Sequence, residues 1–492
     1  MRIEPASLTI AAGAVEQTFT ATVTGGDAVT WTLAGVGRIS PVTGSKTSYE
    51  PPGSVPAPQT ATLTATTGGA SASATVTVTP VSATAGNLSV YLDGLVEPGA
   101  RGAVTVDGPD GFTASLSSSR TLLDLAPGSY VVTGTAVRVR RGNLDAVSRP
   151  SVICPPPAAV ASACPVTVVA GETARVHAVY EVDETTGRLY VPGYDQGAVA
   201  AYAADRLGAT NSEPPTLLLG GTPSAQGVAF DASGDLWVTD WDHNAIREYA
   251  ASQLAASGSP EPRVTLTFGG LANPTALAFD ASGALWVTNR GNATIVRYDA
   301  AQLGASGSPT PAAVIADDGG GLLNGPTGIA FDAAGRLWVA NAFSRTLFRY
   351  DDPSGLTGTV TDPPDAVVAS SGFVGPQGLA FAADGALWVG DETTIMKFAP
   401  EQLQASGTVT PAVILAGQGG VGGVAFDAAG DLWATDAGGR LFALTPDQLA
   451  EPGSPAPTVV LTGFPGVNLG LLAFYPPPAG SPLAQPALGP FP

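Results

Sequence analysis

The chain has 492 residues and a net charge of −20, with 41 acidic residues against two lysines and nineteen arginines. No basic stripe stands out, which excludes a nucleic-acid partner, and no apolar run reaches the 18 residues of a membrane-spanning helix. Hydrophobic residues make up 44% and charged residues 13%, with 62 glycines and 43 prolines, a composition of many short strands and tight turns rather than of a disordered chain. No long stretch sustains a 3.6-residue apolar period, so the expected class is all-β.

Residues 1–81 alternate in strand fashion at Leu8–Ile10, Gln17–Val23, Val29–Leu33, Thr60–Thr66 and Ala72–Thr79, with glycine-marked turns at Gly13, Gly25-Gly26 and Gly68-Gly69. That pattern predicts a β-sandwich. Ala12-Gly13, Phe19-Thr20-Ala21, Val29-Thr30-Trp31 and Tyr49-Glu50-Pro51-Pro52 together resemble the bacterial Ig-like domains of surface proteins. In such a domain Trp31 is a core residue.

Residues 87–182 form a second β-module, with strands at Leu88–Leu92, Ala103–Val106, Leu122–Leu125, Tyr130–Ala136, Val166–Val169 and Ala174–Tyr180. Leu125-Ala126-Pro127-Gly128-Ser129-Tyr130-Val131-Val132 resembles a strand of carboxypeptidase-regulatory-like domains. Cys154 and Cys164, the two cysteines of the chain, bracket a Pro/Ala segment. Their proximity fits a loop-stapling disulfide and an oxidising compartment; the alternative is two unrelated buried thiols. Arg138, Arg140 and Arg141 read as a solvated loop beside it.

Residues 184–475 are built on one repeat. Its cleanest copy is Gly328–Asn341, Gly-Ile-Ala-Phe-Asp-Ala-Ala-Gly-Arg-Leu-Trp-Val-Ala-Asn, and Trp237, Trp286, Trp338, Trp388 and Trp433 recur 49, 52, 50 and 45 residues apart. That period belongs to propeller blades. An apolar strand ending in Phe, an Asp-x-x-Gly turn and a Leu-Trp-Val strand make a hairpin, and two further strands follow in each copy, separated by a Gln-Leu-x-Ala-Ser-Gly-Ser-Pro excursion. Leu189-Tyr190-Val191 is a sixth second strand without a first strand of its own, and Gly470–Phe474 is a first strand without a second. The expectation is a six-bladed propeller closed by the C-terminal strand, followed by a Pro-rich tail, 476–492. The motif Pro-x-Gly-x-Ala-Phe-Asp-x-x-Gly-x-Leu-Trp-Val-x-Asp/Asn, as at Pro326–Asn341, resembles NHL repeats and the gluconolactonase- and streptogramin-lyase-like propellers.

The residues that end the second strands, Asp240, Asn289, Asn341, Asp391 and Asp436, are expected around one channel mouth. A ring of oxygen donors can hold a hard cation such as calcium, or carry a carboxylate base; equally, Asp and Asn at turn starts cap nearby backbone N–H groups. Likeness to gluconolactonases implies a divalent metal at this mouth, and likeness to streptogramin lyases implies a catalytic histidine, for which His243, beside Asp240, is the candidate. Trp241, Arg290, Phe343 and Glu392 follow the ring positions and form a candidate binding rim. Asp317-Asp318 in a glycine-rich loop lacks EF-hand spacing. The chain carries no P-loop, GxGxxG, HExxH or GxSxG motif. The uniform repeats favour a non-catalytic binding platform that meets a protein or glycan at the cell surface, with any signal or lipid anchor removed before Met1; a metal-dependent lactonase or lyase is the alternative.

Overall fold

A computed structural model describes residues 1–23, 28–95, 102–153, 160–161 (backbone only), 163–183, 186–267, 270–317, 319–464 and 468–478. Strands dominate throughout, and the chain divides into two compact units. Among the described residues, the first contains Met1–Arg138 and Ser148–Val182, and the second contains Val139–Val147 and Asp183 to Pro478.

The first unit begins with two four-stranded sheets. One runs Arg2–Glu4, Gln17–Thr22, Lys46–Glu50, Arg38–Ser40; the other runs Ser7–Ala11, Ser71–Thr79, Gln59–Thr66, Thr30–Ala34. Period-two alternation explains their shared core: along Gln59–Thr66 the residues Ala61, Leu63 and Ala65 are buried and the threonines between them are not. Trp31, Phe19 and Tyr49 fill the same core. The Trp31 indole donates to the Gly44 carbonyl at 2.8 Å, so this tryptophan is a packing residue with its one polar atom satisfied.

Two further sheets follow in that unit, and the turn at Ala12-Gly13 docks onto one of them. Ser89 Oγ donates to Gly13 O at 2.8 Å and Thr173 Oγ1 to Ala12 O at 2.9 Å. Gly13 sits at φ +74, and a Cβ there would lie 2.6 Å from Thr173, so both backbone and contact require glycine. Cys164 is buried on the strand Ala163–Val168, opposite Val132. Cys154, and with it the expected bridge, lies outside the described residues. Arg138 departs from expectation. It lies on the strand Val137–Arg141 and is 6% exposed, because Val137 and Val139 alternate with it and draw the segment into a sheet.

The second unit is a β-propeller whose sheets are antiparallel meanders. The first sheet is ordered Leu217–Gly220, Ala198–Ala203, Arg188–Gly193, Ala473–Tyr475, so its innermost strand comes from the far end of the chain. Tyr475, Phe474 and Ala473 pair with Arg188, Leu189 and Tyr190. Five more sheets start from Ala225–Phe230, Pro274–Phe279, Pro326–Phe331, Pro376–Phe381 and Val421–Phe426 as innermost strands. Each of these innermost strands contacts the next, and Ala473–Tyr475 contacts both Val421–Phe426 and Ala225–Phe230, which closes the ring.

Two repeated contacts build this ring. In four sheets the Asp after the Phe folds the turn and holds the tryptophan. In Asp332, Oδ1 accepts from Ala334 N and Arg336 N at 3.0 and 3.1 Å, and Oδ2 accepts from Trp338 Nε1 at 3.0 Å. Asp231, Asp280 and Asp427 do the same for Trp237, Trp286 and Trp433 at 3.0, 2.9 and 3.1 Å. Four of the indoles meet the Phe of the following sheet edge-on: Trp237–Phe279, Trp286–Phe331, Trp338–Phe381 and Trp388–Phe426 have centroids 5.9, 6.4, 6.2 and 6.2 Å apart. Tyr190 takes the indole's place against Phe230, at 4.8 Å.

The Ser-Gly excursions have a role that the sequence did not disclose. Each pairs in parallel with the outer strand of the sheet before it: Gly258 with Leu219, Gly307 with Leu266, Gly358 with Ala313, Gly407 with Val368 and Gly453 with Leu415. Asn211, near the start of the ring, pairs with Leu461 of the last sheet. The ring is therefore stitched at its outer edge as well as closed at its centre.

The turn at Phe381-Ala382-Ala383-Asp384 has alanine where the other repeats hold the tryptophan with aspartate. Replacing Asp332 by Ala is expected to lower the melting temperature of this unit, leaving a buried indole N–H unpaired at a cost of about 1–3 kcal/mol. Ala382→Asp is expected to raise it, by about 1 kcal/mol of added hydrogen bonding to Trp388. Calorimetry of the two variants checks both signs.

Candidate functional site

The end of each second strand is fixed by its pairing with the first residue of the innermost strand, as Asp240 with Ala225 and Asn341 with Pro326. This brings the five ring residues to the same end of their sheets, where all are buried. Four of them are engaged locally. Asp240 Oδ2 accepts from Arg247 Nε and Nη2 at 2.9 and 2.7 Å, and Oδ1 lies 2.8 Å from His243 Nδ1. Asp436 accepts from Arg440 N at 2.8 Å and Nε at 2.5 Å. Asn289 bridges Ala272 N, Gly270 O and Thr294 Oγ1. Asp391 accepts from the N–H groups of Val374 and Gly375, which lower its pKa against the larger upward push of burial. Asn341 finds no hydrogen-bond partner for its amide among the described residues.

This donor set does not suit a shared hard cation. Two of its three carboxylates are already neutralised by Arg247 and Arg440, Asp391 and Asn289 bond their own loops, and only the neutral amide of Asn341 is left over. Asp317 behaves alike: backbone N–H groups of Gly319, Gly321 and Leu323 fold onto its carboxylate and lower its pKa, while Asp318 lies outside the described residues.

The rim residues do come together. Arg290 lies over the Phe343 ring at 4.7 Å and the Trp241 ring at 6.0 Å. Burial lowers the Arg290 pKa, and the Glu392 carboxylate acts in the opposite sense. Phe343 is 59% exposed, and Leu322 and Val374, on the loops before adjoining innermost strands, are 45% and 41% exposed. Ser344 Oγ ties Leu322 O to the Phe343 loop at 2.8 Å.

His243 is exposed while its partner Asp240 is fully buried. A carboxylate on Nδ1 leaves Nε2 toward solvent, the arrangement of a positioned acid–base group. Beside it, Asp242 accepts from Ser224 Oγ at 2.5 Å and Tyr194 Oη at 2.9 Å, bonds that lower its pKa.

No family model matches the chain, and no curated protein matches its sequence. Solved structures do, at low similarity. Virginiamycin B lyase from Staphylococcus aureus is 15% identical, over 46% of this chain and 67% of that one, with a TM-score of 0.32. XC5397 of Xanthomonas campestris, described as a gluconolactonase, is 18% identical over 46% and 78%, with a TM-score of 0.33. The WD40 propeller domain of Doa1 is 11% identical over 56% and 80%, with a TM-score of 0.38.

One cluster went unremarked in the sequence. Asp231, Asp235 and Glu248 bring their carboxyl groups within 4.8 Å of one another. Opposite the tryptophan, the third strand carries Arg297, Arg349 and Lys397 in three sheets, each cation over the indole, but Glu248 opposite Trp237. That sign reversal was the available signal. Arg263 reaches in to bond both Glu248 and Asp235. Burial still dominates, lifting the Glu248 carboxyl from 4.5 to about 7. A carboxyl whose pKa rises on folding binds its proton more tightly in the folded state, so its contribution is present below about pH 4.5 and lost as pH rises through about 7. Glu248→Gln is therefore expected to gain melting temperature relative to the parent between those limits; parallel pH profiles would contradict the assignment.

Proposed function

We propose that the chain is an exported or cell-surface protein whose N-terminal β-sandwiches, Ig-like and carboxypeptidase-regulatory-like, are spacers for a six-bladed propeller that acts as a non-catalytic binding platform. Each of the six sheets is one blade in this reading. The observation that carries it is the rim. Trp241, Arg290 and Phe343 come from three successive sheets, with Arg290 over both rings and Phe343 exposed, and Leu322 and Val374 are exposed on loops at the same end of the sheets. An aromatic–arginine cluster with adjoining exposed aliphatic groups has the composition of a recognition hot spot. The partner class is a protein or glycan of the cell surface.

A second reading rests on His243 and Asp240. The 2.8 Å contact between an exposed imidazole and a fully buried carboxylate supports acid–base chemistry on a lactone or related ester, with Asp240 orienting His243 and His243 moving the proton. No metal enters that mechanism, because the ring residues do not fit one.

The test is a screen of surface glycans and envelope proteins with the full chain, followed by affinity measurement on the pair Trp241→Ala and Phe343→Ala. A genuine rim partner is expected to bind about ten-fold or more weakly to the double variant at unchanged melting temperature. A partner retained by that variant argues against the rim. Lactone turnover abolished by His243→Ala would instead establish the second reading.

A further inference from the structure

The innermost strands enclose an axial cavity of about 520 Å³. It begins at the third residue of four of the innermost strands, at Val424 of the fifth and at Leu471 beside the closing strand, and runs away from the Asp/Asn ring toward the turns that follow the phenylalanines. Its far end is ringed by glycines at which neighbouring strands press together. A Cβ on Gly328 would lie 2.0 Å from Gln377 O, one on Gly227 2.5 Å from Thr275 O, and one on Gly423 2.7 Å from Gly470 O. At the same level Leu471 N donates to Gln226 O at 2.7 Å, between two neighbouring strands. Residues on the ring side of these glycines do not line the cavity.

The open end is asymmetric. Only two of the Phe-Asp turns reach it, those at Ala382–Asp384 and Asp427–Gly430, and Ala383 and Ala429 stand exposed at its lip. Arg140 and Pro478 complete the lip. The charges there are already engaged. Arg140 Nε lies 3.3 Å from Asp145, Lys397 Nζ lies 3.4 Å from Asp384, and Asp427 accepts from Ala429 N, Asp431 N and Trp433 Nε1. An ionic ligand would find no free counter-charge. The walls behind the lip are Val, Leu, Ile, Ala and Phe, with polar atoms supplied mainly by backbone.

We propose that this cavity binds an uncharged, largely apolar small molecule, admitted between the Ala383 and Ala429 turns. The volume falls within the roughly 300–1,000 Å³ of small-molecule sites, and apolar walls with a few hydrogen-bonding backbone groups are their usual make-up. The site is separate from the rim, at the other end of the innermost strands, so its occupation does not depend on what the rim recognises.

The experiment uses the full chain and the neutral fluorophore N-phenylnaphthylamine. The expected result is saturable binding of one probe per chain. Ala383→Trp with Ala429→Trp is expected to weaken it about ten-fold or more by filling the lip. Ala281→Trp, at the matching exposed position of a turn that does not reach the cavity, is expected to leave it unchanged. No saturable binding by the parent, or binding indifferent to the double substitution, overturns the proposal. Photolabelling of the parent with benzophenone gives a readout independent of variant folding: label on the 378–384 and 424–430 segments supports the site, and label confined elsewhere overturns it.

Discussion

A tryptophan sealed between two sheets has one polar atom, and the fold must provide for it. Here the aspartate that folds the preceding turn also receives the indole N–H, at 2.9–3.1 Å in four sheets. One side chain thereby fixes the turn, the register of the hairpin and the plane of the ring. The ring plane in turn sets the edge-on contact with the next sheet's phenylalanine, so the angle between neighbouring sheets is determined inside a stretch of about ten residues. Everything further out, including both ends of the axial channel, inherits that geometry.

Much of this was legible because it is local. Phe, turn and Trp lie within eight residues, and the closing strand announced itself by repeating the first-strand pattern at Gly470–Phe474. The paired strand in fact begins three residues later, at Ala473, since Leu471 bonds instead to Gln226 of the neighbouring innermost strand. What was not legible depends on residues far apart in sequence. The excursion at Gly258 bonds a strand nearly forty residues earlier, which no period within one repeat reveals. Arg138 looked solvated because its charge was weighed above the valines on either side. Glu248 escaped notice because the meaning of its sign lies only in comparison with Arg297, Arg349 and Lys397.

The candidate site divides in the same manner. The ring residues could be listed from the sequence, but whether they face a common centre or their own loops depends on where Arg247, Arg440 and the backbone N–H groups fall. The structure gives each its own partner or none, so regular recurrence here reflects a repeated local need rather than a convergent site. The rim was easier to anticipate, since residues following strand ends must leave the sheets together. Its stacking order, with Arg290 between two aromatic rings, required coordinates.

The outer stitching has a consequence for how such a ring changes over time. Because each repeat carries the segment that binds the sheet before it, the unit of covalent sequence and the unit of bonding are offset by one. Excising a whole repeat leaves the flanking copies able to bond each other, since the incoming segment finds an equivalent outer strand. Breakage at an arbitrary point strands a segment without its acceptor. Gain and loss of material in such a ring should therefore proceed in whole copies, with cut points free to drift along the repeat, while the two junctions of the chain ends, Asn211 with Leu461 and Ala473–Tyr475 with Arg188–Tyr190, must be kept.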